Sequence, residues 1–231
     1  MNDVRPIAGE EIVEILSHGM AFVTFVATDG VRTSVCKRVR LAAISDDAVR
    51  KLELEGDVLS RLEGSGAPRL LARGADEFGP FVSMELVRGR RVRSWDDARA
   101  AFEALAAIHA RGVVHGDVSP TNVIIGDERA WLVDFGSAMT IGFAAPERAR
   151  GENFDERADV FSMAATLVAG ATGTAPREFG DLPQGAQLAI AGERPLGDAF
   201  VALAPEALRE CLAFDPNMRP RDAAAVLTRL V

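Results

Sequence analysis

Tyrosine is absent from the 231 residues, and cysteine (two) and histidine (three) are scarce. Without tyrosine the chain has no phenolic hydroxyl to act as nucleophile or acceptor. Cys36 and Cys211 lie far apart in sequence, which reads as two reduced thiols rather than a disulfide framework and points to a cytoplasmic setting. Three histidines with no Cys/His cluster make a structural zinc site an unexpected feature. No apolar run approaches the ~18 residues of a membrane span. The opening Met1-Asn2-Asp3-Val4-Arg5-Pro6 lacks the basic and apolar blocks of a signal peptide. A net charge of −8 argues against nucleic acid as the main partner. Arg88, Arg90, Arg91 and Arg93 form a local exception, read as a solvated surface turn ahead of a docking patch for an acidic partner.

What is present is an ordinary globular composition, 48% apolar and 26% charged, with no internal repeat. The length suits one domain or two closely packed lobes. Short β-branched runs at Glu11–Leu16, Phe22–Ala27 and Thr33–Val39 predict three strands separated by Ser-His-Gly and Thr-Asp-Gly turns. Apolar spacing predicts a helix over Ser45–Leu62, stopped by Gly64-Ser65-Gly66, and two further strands at Arg69–Arg73 and Phe81–Leu86. From Trp95 onward the pattern turns helical, beginning with Asp96–Ala110 capped by Ser94. Later helices are predicted at Asp159–Gly170, Ala199–Leu203, Pro205–Leu212 and Arg221–Val231.

Residues 115–122 read His-Gly-Asp-Val-Ser-Pro-Thr-Asn, and Asp134-Phe135-Gly136 follows twelve residues beyond Asn122. Between them, Val123–Ile125 and Trp131–Val133 read as a hairpin that returns Asn122 and Asp134 to the same end. An orienting carboxylate, an amide and a second carboxylate are the few parts that phosphoryl transfer needs from a protein. This constellation resembles the catalytic and magnesium loops of the protein kinase superfamily. The resemblance runs from Glu11 to about Leu230 and follows the eukaryotic-like (Hanks-type) Ser/Thr protein kinases, as a minimal bacterial-type member. It implies an α+β, bilobal kinase-like fold. A small five-stranded lobe with one helix would occupy residues 1–87 and a mostly helical lobe residues 88–231.

The resemblance also implies roles. Asp117 would orient and deprotonate the substrate hydroxyl, with His115 packed behind the loop, while Asn122 and Asp134 would hold Mg2+. Lys37 falls where the family places its phosphate-anchoring lysine, and Arg38 should point to the opposite face of its strand. Glu55, eighteen residues on, is the expected partner of Lys37, with Glu53 and Asp57 as fallbacks. Gly56 beside it should loosen that helix. Gly19 would approach the phosphates of ATP. The backbone of Glu85 and Val87 would meet adenine, with Met84 guarding the rear. Thr140 would brace Asp117, Glu147 of Ala145-Pro146-Glu147 would pair with Arg219, and Asp159 would brace the catalytic loop.

The chain also departs from the family pattern. The glycine-rich loop is reduced to Leu16-Ser17-His18-Gly19-Met20-Ala21-Phe22, with Ser17 and Phe22 limiting close approach. Gly116 replaces an arginine before Asp117, and Ser119 stands where a lysine is usual. Only Ser137, Ala138 and Met139 separate Gly136 from Thr140, too few for a phosphorylation-driven order switch. The reading is a constitutively competent, Mg–ATP-dependent Ser/Thr protein kinase, a monomer that acts on a protein substrate. The absence of tyrosine excludes tyrosine autophosphorylation. The alternatives are a nucleotide-binding pseudokinase scaffold and a small-molecule phosphotransferase. Size and fold analogy also extend to bacterial effectors that act in a host-cell cytosol.

Overall fold

The computed structural model describes residues 4–135 and 139–230. The chain divides into two compact units, Met1–Val87 and Arg88–Val231. The first is an antiparallel sheet in the order β1-β2-β3-β5-β4. Its strands are β1 (Glu11–His18), β2 (Phe22–Thr28), β3 (Thr33–Val39), β4 (Leu70–Asp76) and β5 (Gly79–Glu85). One helix, α1 (Asp46–Leu62), packs on it, started by Ser45, whose side chain accepts the Ala48 N–H.

Strand alternation gives the sheet two faces. Val23, Phe25, Ala27 and Cys36 form one buried cluster, and Val4 and Ile7 of the preceding segment cover it. Arg38 lies on that face, fully buried, donating to both carboxylate oxygens of Asp76 and to the Gly79 carbonyl. Lys37 therefore points to the opposite face, as the alternation predicted. There α1 buries Leu52, Glu55, Gly56 and Leu59. Gly56 is a residue of close approach: a Cβ on it would sit 3.1 Å from the Arg73 side chain and 3.4 Å from Val82. The absence of a side chain at Gly56 lets α1 lie close to the sheet, beside its cost in helix propensity.

The second unit is mostly helical. Its helices are α2 (Asp97–Ala110), α3 (Pro146–Ala149), α4 (Glu156–Thr172), α5 (Gln184–Glu193), α6 (Asp198–Leu203), α7 (Glu206–Arg209) and α8 (Ala223–Leu227). A two-stranded sheet, β6 (Val123–Ile125) and β7 (Ala130–Leu132), joins them. Among the described residues, no helix is long and apolar enough to cross a membrane.

Several boundaries differ from those predicted. The N-cap position of α2 falls on Asp96 rather than Ser94, with no side-chain cap bond, and Asp97 instead turns back to accept the Arg93 and Ser94 N–H groups and both ends of the Arg90 guanidinium. Arg90 is thus part of a helix-start clamp, with Val92 buried beside it, although it is exposed along with Arg88, Arg91 and Arg93. α4 starts a turn early, at the Asp155 cap, and runs on to a left-handed Gly173. Gly170, expected to end it, instead lets Val92 approach. α5 was missed because only Ala191 and Gly192 of it are buried, so its apolar residues mark no core-facing stripe. The C-terminal helix is shorter than predicted, since Asp222 caps it at Ala223 and Thr228 ends it.

Two outcomes follow. A Cβ at Gly170 would lie 2.6 Å from Val92 Cγ1 and 2.7 Å from the Val92 carbonyl oxygen. Gly170→Ala should therefore destabilise by about 1–3 kcal/mol, opposite in sign to its helix propensity, as read by denaturant unfolding. Asp97 is held down to about 2, chiefly by Arg90 and then by the two N–H groups. A depressed carboxyl contributes stability above the ordinary aspartate range and loses it as pH falls through the folded value. Asp97→Asn should cost about 1–2 kcal/mol at neutral pH, the modest end because Arg90 is partly exposed. The gap between variant and wild-type melting temperatures should close as pH is lowered toward 2.

Candidate active site

In the first unit, Lys37 and Glu55 meet across β3 and α1, with Nζ 2.8 Å from Oε2 and both side chains buried. The fallback partners lie elsewhere: Asp57 pairs with Arg73, and Glu53 is exposed. Met84 is buried on β5 opposite Val35, on the same face as Lys37. Glu85 ends that strand with its N–H donated to the Arg69 carbonyl, and Val87 closes the unit half-buried. Gly19 sits in the tight turn between β1 and β2.

In the second unit the β6–β7 hairpin sets the spacing. Val123 pairs with Leu132, and the Val133 N–H donates to the Asn122 carbonyl, so Asn122 and Asp134 emerge at the open end. Asn122 Nδ2 donates to the Asp117 carbonyl at 2.8 Å and to Asp117 Oδ2 at 3.2 Å. Both partners are acceptors, which fixes the amide orientation and leaves its oxygen as the acceptor. Asp117 Oδ1 accepts the Thr140 N–H at 2.7 Å. Burial raises the Asp117 pKa above the ordinary range and Asp134 adds to this, while the hydrogen bonds from Thr140 pull the other way. Asp134 holds φ +68, a left-handed conformation uncommon for a residue with a side chain. Gly136, Ser137 and Ala138, on which the expectation of a short, unswitched segment rests, lie outside the described residues.

The loop before Asp117 hangs on one carboxylate. Asp159, buried on α4, accepts the His115 N–H at 2.7 Å, the Gly116 N–H at 2.8 Å and His109 Nε2 at 3.1 Å. His115 packs 4.5 Å from the Phe135 ring and bonds the Val133 carbonyl through Nε2. Its Nδ1 accepts the Asp117 N–H, so it orients the loop and offers no base. Gly116 takes φ +77, a conformation that favours glycine. Ser119 is fully buried and bonds Thr121 Oγ1 at 2.8 Å, so the place of the usual lysine is filled by a locally satisfied hydroxyl.

Glu147 and Arg219 form a buried two-pronged pair at 2.7 and 3.0 Å. Arg219 also donates to the carbonyls of Ala213, Phe214 and Arg157, and lies 4.8 Å from the Phe161 ring.

Three residues of the site had no sequence signal. His109 bridges Asp159 and the Ala223 N–H. Arg148 donates from Nε to the Gly116 carbonyl and stacks on Phe154, beside the position where the family's arginine is missing. Arg177 donates to the carbonyls of Gly142, Ala144 and Ala191, fixing the turn just after Thr140. Burial pushes Arg177 down to about 10, and among the described residues it pairs with main-chain oxygens rather than a carboxylate. Their partners are main-chain atoms or residues remote in sequence, which leave no local pattern.

The donors at Asn122 and Asp134 are an amide oxygen and a carboxylate, hard oxygen ligands of the kind Mg2+ takes. Among the described residues no cluster of three or more His, Cys, Asp or Glu groups competes as a metal site.

A sheet with one packed helix, followed by a helical unit built around such a hairpin, defines the protein kinase fold. The kinase domain of PknI from Mycobacterium tuberculosis superposes with a TM-score of 0.73 at 23% identity, covering 100% of this chain and 98% of that one. The protein kinase domain family matches residues 90–228, and the chain belongs to that family. Among curated relatives, the serine/threonine-protein kinase PknJ of Mycobacterium tuberculosis is 30% identical over 204 residues, 73% of this chain and 35% of the relative. The DNA damage-responsive serine/threonine-protein kinase RqkA of Deinococcus radiodurans is 29% identical over 259 residues, 94% of this chain and 38% of the relative. A probable BUD32 homolog of Archaeoglobus fulgidus is 29% identical over 125 residues, 52% of this chain and 63% of the relative. The chain therefore spans between 35% and 63% of the length of these curated relatives.

Arg219→Ala should strand the Glu147 carboxylate in a dry interior. The expected cost is about 3–5 kcal/mol in denaturant unfolding, because a buried charge loses its partner.

Proposed function

We propose that the chain is a Mg–ATP-dependent Ser/Thr protein kinase that acts on a protein substrate. The observation that carries this reading is the Asp117 carboxylate, buried and raised in pKa, held by Thr140 on one oxygen and by Asn122 on the other. A carboxylate fixed in this way accepts the proton of an incoming hydroxyl without reorganising.

In this reading unit Met1–Val87 binds the nucleotide. The main chain of Glu85 and Val87 meets adenine with Met84 behind, Gly19 lies near the phosphates, and Lys37, steadied by Glu55, anchors them. Unit Arg88–Val231 supplies the chemistry. Asn122 and Asp134 hold Mg2+, which when bound neutralises phosphate charge. Thr140, Glu147, Asp159 and Arg219 keep Asp117 and its loop in place. Gly116 leaves the loop without the usual phosphate-reading arginine, which supports activity without segment phosphorylation.

A second reading, a nucleotide-binding module with little turnover, is favoured by Ser119, whose buried hydroxyl supplies no cation beside the transferred phosphoryl group. Label transfer from γ-labelled ATP separates the two. With magnesium and a protein acceptor, wild type should label serine or threonine, and Asp117→Asn should cut the rate by about 10²–10⁴-fold with ADP affinity retained. ADP binding with no Asp117-dependent label would favour the module.

A further inference from the structure

Two groups of the first unit are suited to phosphate oxygens, the Gly19 amide and the Lys37 ammonium, and one residue engages both. The Phe22 carbonyl accepts the Gly19 N–H at 2.9 Å, closing the turn between β1 and β2. The Phe22 ring lies 5.1 Å from Lys37 Nζ, within cation–π range, while Glu55 holds the ammonium at 2.8 Å.

The strand register makes this contact. Phe22 stands opposite Val39, and Lys37 stands opposite Thr24, so Phe22 and Lys37 are diagonal neighbours on one face of an antiparallel pair. The turn that carries Phe22 is fastened from β3's end. The Arg40 N–H donates to the Ala21 carbonyl at 2.9 Å, and Arg40 Nη1 donates to the Gly19 carbonyl at 3.0 Å. A glycine in place of Phe22 would keep the carbonyl but offer no ring. The departure from the glycine-rich pattern therefore places a π-face on the cation that the phosphates would use.

We propose that Phe22 is a specificity-determining latch on the phosphate anchor, whose ring competes with nucleotide phosphates for Lys37. The inference rests on Lys37 being that anchor. A polyphosphate carries enough charge to displace a ring from an ammonium, whereas a nucleoside has nothing to displace it with. The latch therefore weakens binding through the phosphates and leaves the contribution of the base untouched.

Calorimetric titration of the full chain with Mg–ADP and with adenosine tests this on wild type, Phe22→Leu and Phe22→Ala, each checked for cooperative melting. Removing the ring should tighten ADP about threefold to tenfold, the scale of one cation–π contact, and leave adenosine affinity unchanged. Lys37→Met should cancel the effect of Phe22→Leu on ADP. Unchanged or weaker ADP binding in the ring-less variants, or an equal gain for adenosine, overturns the latch. If neither wild type nor Phe22→Leu binds ADP, the nucleotide reading itself fails and the latch falls with it. ADP binding by wild type that ignores both substitutions removes the latch alone.

Discussion

The second unit turns on a single buried carboxylate. Asp159 sits in the first turn of α4, where the helix dipole favours its charge, and it accepts three N–H groups. Two of them belong to consecutive residues of the loop, His115 and Gly116. Consecutive amides can converge on one acceptor only if the chain bends sharply between them, and the left-handed φ of Gly116 provides that bend. Asp117 follows directly, so its position is inherited from a helix more than forty residues away in sequence. α4 is almost wholly buried, which gives the loop a rigid support. Loss of this one acceptor would leave a buried and a half-buried backbone donor without their partner, so the loop's position depends on the helix.

The motifs were legible in the sequence because their members are close in the chain and chemically uncommon in that order. Asn122, Asp134 and the hairpin between them come from twenty residues of local code, and strand alternation sufficed to separate Lys37 from Arg38. Five strands and the helix after the third could be read from their turns and apolar spacing. What stayed hidden has a common physical character. Arg177 and Arg148 work through main-chain carbonyls, which every residue possesses, so no pairing pattern exposes them. Gly56 and Gly170 look like weak points of helices by propensity, yet their role is to admit a neighbour, and the identity of that neighbour is set by tertiary packing. The Val4 and Ile7 segment escaped notice because two apolar residues in a loop carry no period.

Arginine recurs where this second unit fastens its later turns. Arg219 binds a carboxylate and three carbonyls, Arg177 binds carbonyls around the segment after Thr140, and both guanidinium groups lie within 5.6 Å of the Phe161 ring. A planar fork with five donors can satisfy several main-chain acceptors at once while its flat surface covers an aromatic ring, a combination lysine cannot match. Phe161 belongs to α4, as Asp159 does, so the same buried helix supports the loop before Asp117 with a carboxylate and the later segment with an aromatic face.

That division of labour explains why the departures in the motifs need not loosen the site. Where the family's arginine is absent at Gly116, Arg148 of α3 donates to the Gly116 carbonyl. Thr140, which donates to Asp117, is followed at once by the turn that Arg177 clamps. The carboxylate geometry is therefore held by contacts from α3, α4 and Arg177, each anchored in the helical unit, and none of these contacts requires a phosphate to form. A loop held this way keeps the Asp117 carboxylate in one orientation, and a second arrangement of Glu147 and Arg219 would strand a buried charge.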